Sequence, residues 1–146
     1  MRLPLFLIPI ACGLIAQALK PLLNQDWYAT ITRSGRKLPR YGGMPSAHAA
    51  TAFSVMTVVG LADGIMTTTF LIAVFILIWT LDDALRMRIF LSRHGLALRR
   101  LIKKLPPEER RSYPYLESRL GHKPSEVLAG AVLGVGLSLL LFWLAR

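Results

Sequence analysis

Four long stretches of the chain hold no charged residue: residues 3–19, 41–62, 64–81 and 127–145. They are 17 to 22 residues long, and at about 1.5 Å rise per residue helices of that length cross most or all of a hydrocarbon core of about 30 Å. The pattern predicts an all-α integral membrane bundle with about four transmembrane helices, forming a single domain over residues 1–146. The first stretch is the shortest and carries Pro4 and Pro9 in its first half, where a helix tolerates proline best. Its alternative is a cleaved leader, because Arg2, an apolar run and Ala16-Gln17-Ala18 have that form.

Punctuation inside this pattern predicts the connections. Asp63, flanked by Gly60 and Gly64, marks a tight turn that joins the second and third spans into a hairpin. In the last span Gly130 and Gly134 share one helical face and permit close helix contact in lipid. Trp79 and Trp143 near span ends, and Trp27 and Tyr28 after the first span, suit interfacial anchors. From residue 85 to 105 apolar Leu85, Ile89, Leu98 and Leu101 alternate with Arg86, Arg88, Arg93, Arg99 and Lys103. That mixture predicts a basic amphipathic interfacial segment on an anionic leaflet, with Gly95 as a point of bending. Pro106-Pro107-Glu108-Glu109 ends it and opens a short helix.

Composition and charge sharpen the picture. The chain is 53% hydrophobic and only 18% charged, against about 25% charged in soluble domains, and its mean hydropathy is +0.47. The net charge of +10 would suit nucleic acid if it lay on one water-facing surface. Instead 16 of the 18 basic residues fall in residues 20–47 and 82–126, which four spans place on one side of a membrane. The positive-inside rule makes that side cytoplasmic, with both termini opposite. A cleaved leader would push Arg33, Arg36, Lys37 and Arg40 outside. The expected location is the cell membrane, the expected partners are membrane lipids, and nucleic acid is not one of them. Cys12 is the single cysteine and lies in an apolar run, so it reads as a buried thiol and no disulfide or cysteine-based zinc site is available to it.

Of three histidines, two stand at the start of a predicted span. They are His48, in Gly42-Gly43-Met44-Pro45-Ser46-Ala47-His48, and His122, in Leu120-Gly121-His122-Lys123-Pro124-Ser125-Glu126. Proline suits a first helical turn, and the charge asymmetry puts both starts at one membrane face. A helix start offers backbone N–H groups and a positive dipole end, which favour an anion such as phosphate. His122 and Glu126 are four residues apart, so the carboxylate can hold the imidazole in one tautomer and leave its other nitrogen as a nucleophile. His48 then serves as general acid and afterwards as base. Ser46, Lys20, Arg86, Arg88, Arg119 and Lys123 are the candidates for binding the phosphoryl oxygens.

Competing readings are blander. Each histidine alone suits a locally bonded interfacial residue, and His94, beside Gly95, reads as surface. A zinc site would need His48 as third ligand beside His122 and Glu126, and no His-Glu-x-x-His helix is present, so no metal is expected. Asp82 and Asp83 either hold magnesium or pair with Arg86 and Arg88 across a helical turn.

The blocks Gly42–His48, Asp83-Ala84 with Arg88, and Leu120–Gly130 together resemble the divergent, bacterial-type branch of the type 2 phosphatidic acid phosphatase and vanadium haloperoxidase superfamily. Pro45-Ser46-Ala47-His48 matches a Pro-Ser-Gly-His block with alanine for glycine, and His122 and Glu126 match a His and Asp pair with glutamate for aspartate. Lys20-Pro21 resembles what the branch keeps of an upstream basic block, and Ser118-Arg119 lies close before His122. The resemblance implies a membrane lipid phosphatase that hydrolyses a phosphomonoester or pyrophosphate through phosphohistidine, without metal or cofactor. Its substrate would present an anionic phosphate headgroup at the cytoplasmic interface. The reading from another class is a non-catalytic membrane scaffold or lipid transporter that retains a phosphate-binding pocket. A chain this short also leaves room for a homodimer that completes the pocket.

Overall fold

The computed structural model describes residues 4–23, 28–30, 37–39, 42–113 and 122–145. Helix α1 (Leu7–Leu23) leads to a short antiparallel pair, β1 (Tyr28–Thr30) and β2 (Lys37–Pro39), and then to α2 (Ala47–Ala62). Helix α3 (Thr68–Asp82) passes through a π-helical turn, Asp83–Met87, into α4 (Arg88–Lys104). One turn, α5 (Pro107–Arg110), follows, and α6 (Pro124–Leu144) packs back against α2 and α1.

Size sorting in this bundle runs opposite to that of a water-soluble protein. Among the described residues even the largest fully buried side chains are small, namely Cys12, Ser46, Ser54 and Ser138, while Leu71, Phe75, Ile78, Val132, Leu140 and Trp143 face outward. So large an apolar exterior is a lipid-facing surface. The protein is a helical membrane bundle. Among the described residues, two helical segments, Thr68–Lys104 and Pro124–Leu144, are long and apolar enough to cross a bilayer, and α1 and α2 are apolar but shorter.

Small residues set the closest contact. Gly130 lies against the Ser46 carbonyl and Ala49, and Gly134 lies against the backbone of Ala50, with no space for a Cβ at either glycine. One turn further along, Ser138 Oγ donates to Ser54 Oγ at 2.6 Å, and Cys12 Sγ lies 3.8 Å from Ser138 Oγ. Residues 130, 134 and 138 thus form a stripe at helical spacing that fits a matching stripe at 46, 50 and 54. In lipid, such packing and interhelical hydrogen bonding replace the hydrophobic driving force between helices.

The expected hairpin turn is present. Asp63 caps α2 with its N–H on the Val59 carbonyl, and Gly64 has φ +92. Thr67 then caps α3, its Oγ1 accepting from Phe70 N at 3.2 Å. Thr69 Oγ1 donates to Asp63 Oδ2 at 2.8 Å, tying the turn shut. The third helix therefore begins at Thr68 rather than directly after Asp63.

Other boundaries moved for local reasons. Helix α1 starts after Pro4 and runs beyond the uncharged stretch through Lys20 and Pro21, because Lys20 is buried in the bundle. Helix α2 starts at Ala47 with Ser46 as its cap, so Pro45 precedes the helix instead of lying in its first turn, and before it Gly42 (φ 91) and Gly43 (φ 85) adopt left-handed backbone that only glycine takes at little cost. The β1–β2 pair is a small addition to the expected helical bundle. Three-residue strands are too short to leave a readable alternation. The basic amphipathic segment is α4, but it grows out of α3 instead of starting separately, and the helix continues through Gly95. Pro107 opens α5 as expected, and Arg110 Nη2 donates to the Lys103 and Leu105 carbonyls at the end of α4.

Candidate functional site

The starts of α2 and α6 meet. Ser46 N donates to the Glu126 carbonyl at 2.9 Å, so the residue that caps α2 is hydrogen-bonded to the first turn of α6. His122 N donates to the Ala84 carbonyl at 3.3 Å, fixing the segment before α6 onto the π-helical turn. Helix starts, π turn and α1 thereby converge at one end of the bundle. The glycine stripe explains the convergence, because bulkier residues at 130 and 134 would hold the two helices apart.

His122 and Glu126 are paired as their spacing predicts. His122 Nδ1 lies 3.0 Å from Glu126 Oε2, and both side chains are buried. The same carboxylate oxygen accepts from Lys123 N at 3.1 Å, which caps α6. With a carboxylate as acceptor, Nδ1 carries the proton and Nε2 keeps its lone pair. Burial pushes the His122 pKa below its usual value. Glu126 opposes this by hydrogen bond and charge, and the nearby charges of Lys20 and Arg88 add to the lowering. Burial wins, so His122 is neutral near pH 7.

His48 occupies the first turn of α2, exposed at the mouth of the site, with its ring centroid 6.5 Å from that of His122 and the planes tilted by 59°. Lys20 and Arg88 lie close enough for their charges to act on both imidazoles. Lys20 is 5% exposed and also feels Glu126. Arg88 Nε donates to Asp83 Oδ2 at 2.7 Å across the π turn, which orients the guanidinium and leaves its Nη groups as further donors.

The remaining candidates are engaged with other partners or exposed. Arg86 pairs with Asp82 at 3.0 Å and its side chain is 69% exposed. Both aspartates thus form the ion pairs weighed against magnesium. Ser46 is fully buried, and its Oγ accepts from Ala49 N at 3.3 Å, so it caps α2. Lys123 is exposed at the cap of α6. His94 is exposed on α4, as expected. Arg119, with Ser118, Leu120 and Gly121, lies outside the described residues, as does Trp27.

The π turn is the feature of the site that the sequence pattern does not signal. It supplies the Ala84 carbonyl that receives His122 N, and across it Asp83 forms the expected ion pair with Arg88. A five-residue spacing between Asp83 and Arg88 does not fit one face of a regular α-helix, so the ion pair depends on the π turn. Insertions of this kind recur at functional positions, but nothing in Asp83–Met87 announces one.

A family model described as the Divergent PAP2 family matches residues 2–137. The uncharacterized membrane protein YuiD of Bacillus subtilis (strain 168) is 29% identical over 111 residues, covering 68% of this chain and 70% of its own length. No solved structure matches the chain.

Proposed function

Because the chain belongs to the divergent PAP2 family, within a phosphatase-like superfamily, we propose that it is a multi-pass membrane phosphatase acting on a lipid phosphomonoester or pyrophosphate at the cytoplasmic interface. The observation that carries this reading is a buried His122–Glu126 pair at 3.0 Å facing His48 across 6.5 Å. Basic residues concentrated in segments 20–47 and 82–126 support the cytoplasmic side.

Two displacements at phosphorus complete the reaction. His122 Nε2 attacks, forming an N–P bond as the bond to the leaving oxygen breaks, and His48 gives that oxygen its proton. His48, now neutral, takes a proton from water, whose oxygen attacks phosphorus while the N–P bond breaks. Inorganic phosphate leaves and His122 returns to its starting state. Glu126 holds the imidazole and stabilises the positive charge it acquires. Lys20 and Arg88 bind the phosphoryl oxygens, where fixed positive charge in a water-poor site lowers the barrier most.

Purified protein in detergent, with a chelator present, should release phosphate from phosphatidic acid, phosphatidylglycerophosphate or polyprenyl pyrophosphate. His122→Ala should abolish release, and His48→Ala should reduce it by about 10²–10⁴-fold, with helix content unchanged. Equal release from wild type and His122→Ala would remove the nucleophile. Movement of labelled lipid in proteoliposomes without phosphate release would favour a transporter.

A further inference from the structure

An open groove of about 520 Å³ lies on the flank of the bundle where α1, α2 and α3 meet. Its lining changes character along the helix axes. Gln17, His48 and Thr80 line it near the ends of α1, α2 and α3 that face the paired helix starts, and Ile10, Val55 and Ile76 line it further into the apolar zone. From Gln17 back to Ile10, or from His48 on to Val55, is seven residues, about 10 Å of helix. The groove therefore runs parallel to the helices, in the direction a lipid chain takes in a bilayer.

Gly13 lies on this lining between Ile10 and Gln17, and Thr51 lies opposite on α2. A Cβ at residue 13 would collide with Thr51 Oγ1, and Thr51 itself donates to the Ala47 carbonyl at 3.0 Å. Thr51 is thus turned back along its own helix, and the floor of the groove stays low. Leu14, on the adjoining face of α1, is 66% exposed and forms a rim open to lipid.

We propose that this groove binds the hydrocarbon chain of the phosphorylated amphiphile whose headgroup sits at His48 and His122, and that the chain enters sideways from the bilayer between α1 and α3. The inference rests on the phosphatase reading for the chemistry of the headgroup. One wall residue, His48, belongs to both the apolar groove and the polar site, so a molecule occupying one reaches the other. Lys20 and Arg88 supply charge complementary to a phosphate at that end, and among the described residues that line the groove none at the apolar end is charged. The occupant is accordingly an anionic amphiphile rather than a neutral lipid.

The test uses the full chain in phosphatidylcholine nanodiscs and a long-chain alkyl phosphonate, which resists hydrolysis, carrying a diazirine midway along its chain. After photolysis, adducts are mapped by mass spectrometry with and without the same phosphonate lacking diazirine. Adducts should concentrate on Ile10, Leu14, Val55 and Ile76 and be suppressed by the competitor. Leu14→Trp, which fills the rim, should lower them about tenfold, whereas Val132→Trp on the outer face of α6 should not. Adducts spread over the outer faces of α3 and α6 and insensitive to competitor would overturn the proposal, even if phosphate release is intact. Competed groove adducts in a protein that releases no phosphate from any lipid would leave the groove standing and remove the hydrolase reading.

Discussion

Around His122, burial and nearby cations oppose the pull of a carboxylate, and burial prevails. The folded protein therefore binds a proton there less readily than the unfolded chain does. The linkage has a definite sign: stability is intact above the ordinary histidine pKa of about 6.5 and is lost as pH falls through that value toward the lowered one. Melting temperature should accordingly begin to drop below about pH 6.5, and His122→Gln should flatten that part of the curve. A wild-type curve that His122→Gln leaves unchanged in shape would show that the residue is not buried in its neutral form. Histidine spacing to Glu126 was readable from the chain, since four residues on a helix share a face. The choice among cations was not. Arg86 and Arg88 differ by only two positions, and it is the π turn that directs Arg88 to Asp83 beside the histidines while Arg86 pairs with Asp82.

Among elements, the contact between α2 and α6 governs the site, because it brings both helix starts together. Gly134→Ala forces a methyl group into the Ala50 backbone and should cost about 1–3 kcal/mol, the range for overpacking a closed contact. Gly136, two residues on, faces open space, so Gly136→Ala should be neutral or stabilise by up to about 1 kcal/mol through helix propensity. Unfolding in mixed micelles with increasing denaturing detergent measures both, and equal effects would contradict the packing. Gly130 and Gly134 were legible as a contact face, and the signal extended further than two glycines: Ser138 continues the stripe and meets Ser54. Serine reads as tolerated polarity in an apolar run, which is why its partner was not evident. The β1–β2 pair and the continuation of α3 into α4 were hidden for different reasons. Strands of three residues carry no period, and the chemistry of Asp82 and Asp83 resembles a helix end, although both carboxylates are satisfied by arginines within an unbroken helix.

For the whole molecule, the four apolar stretches, the sided distribution of charge and the inverted size sorting agree on a membrane bundle with its site at one end. The proposed topology has a test of its own. In a Cys12→Ser background, cysteines at Tyr113 and at Met66 should react with a membrane-impermeant maleimide from opposite sides, Tyr113 only after the cytoplasmic face is exposed. Labelling of both from one side would break the proposed orientation. The central proposal is that two helix starts form a single pocket in which His122 takes the phosphoryl group. Trapping that group is the most direct measurement: the protein is turned over briefly on a lipid labelled in its terminal phosphate, quenched in alkaline denaturant to preserve phosphohistidine, and mapped by mass spectrometry. Label on His122, accumulating in His48→Ala and absent from His122→Ala, is the predicted result. Turnover that proceeds with no label on His122, or label that survives its replacement, would contradict it.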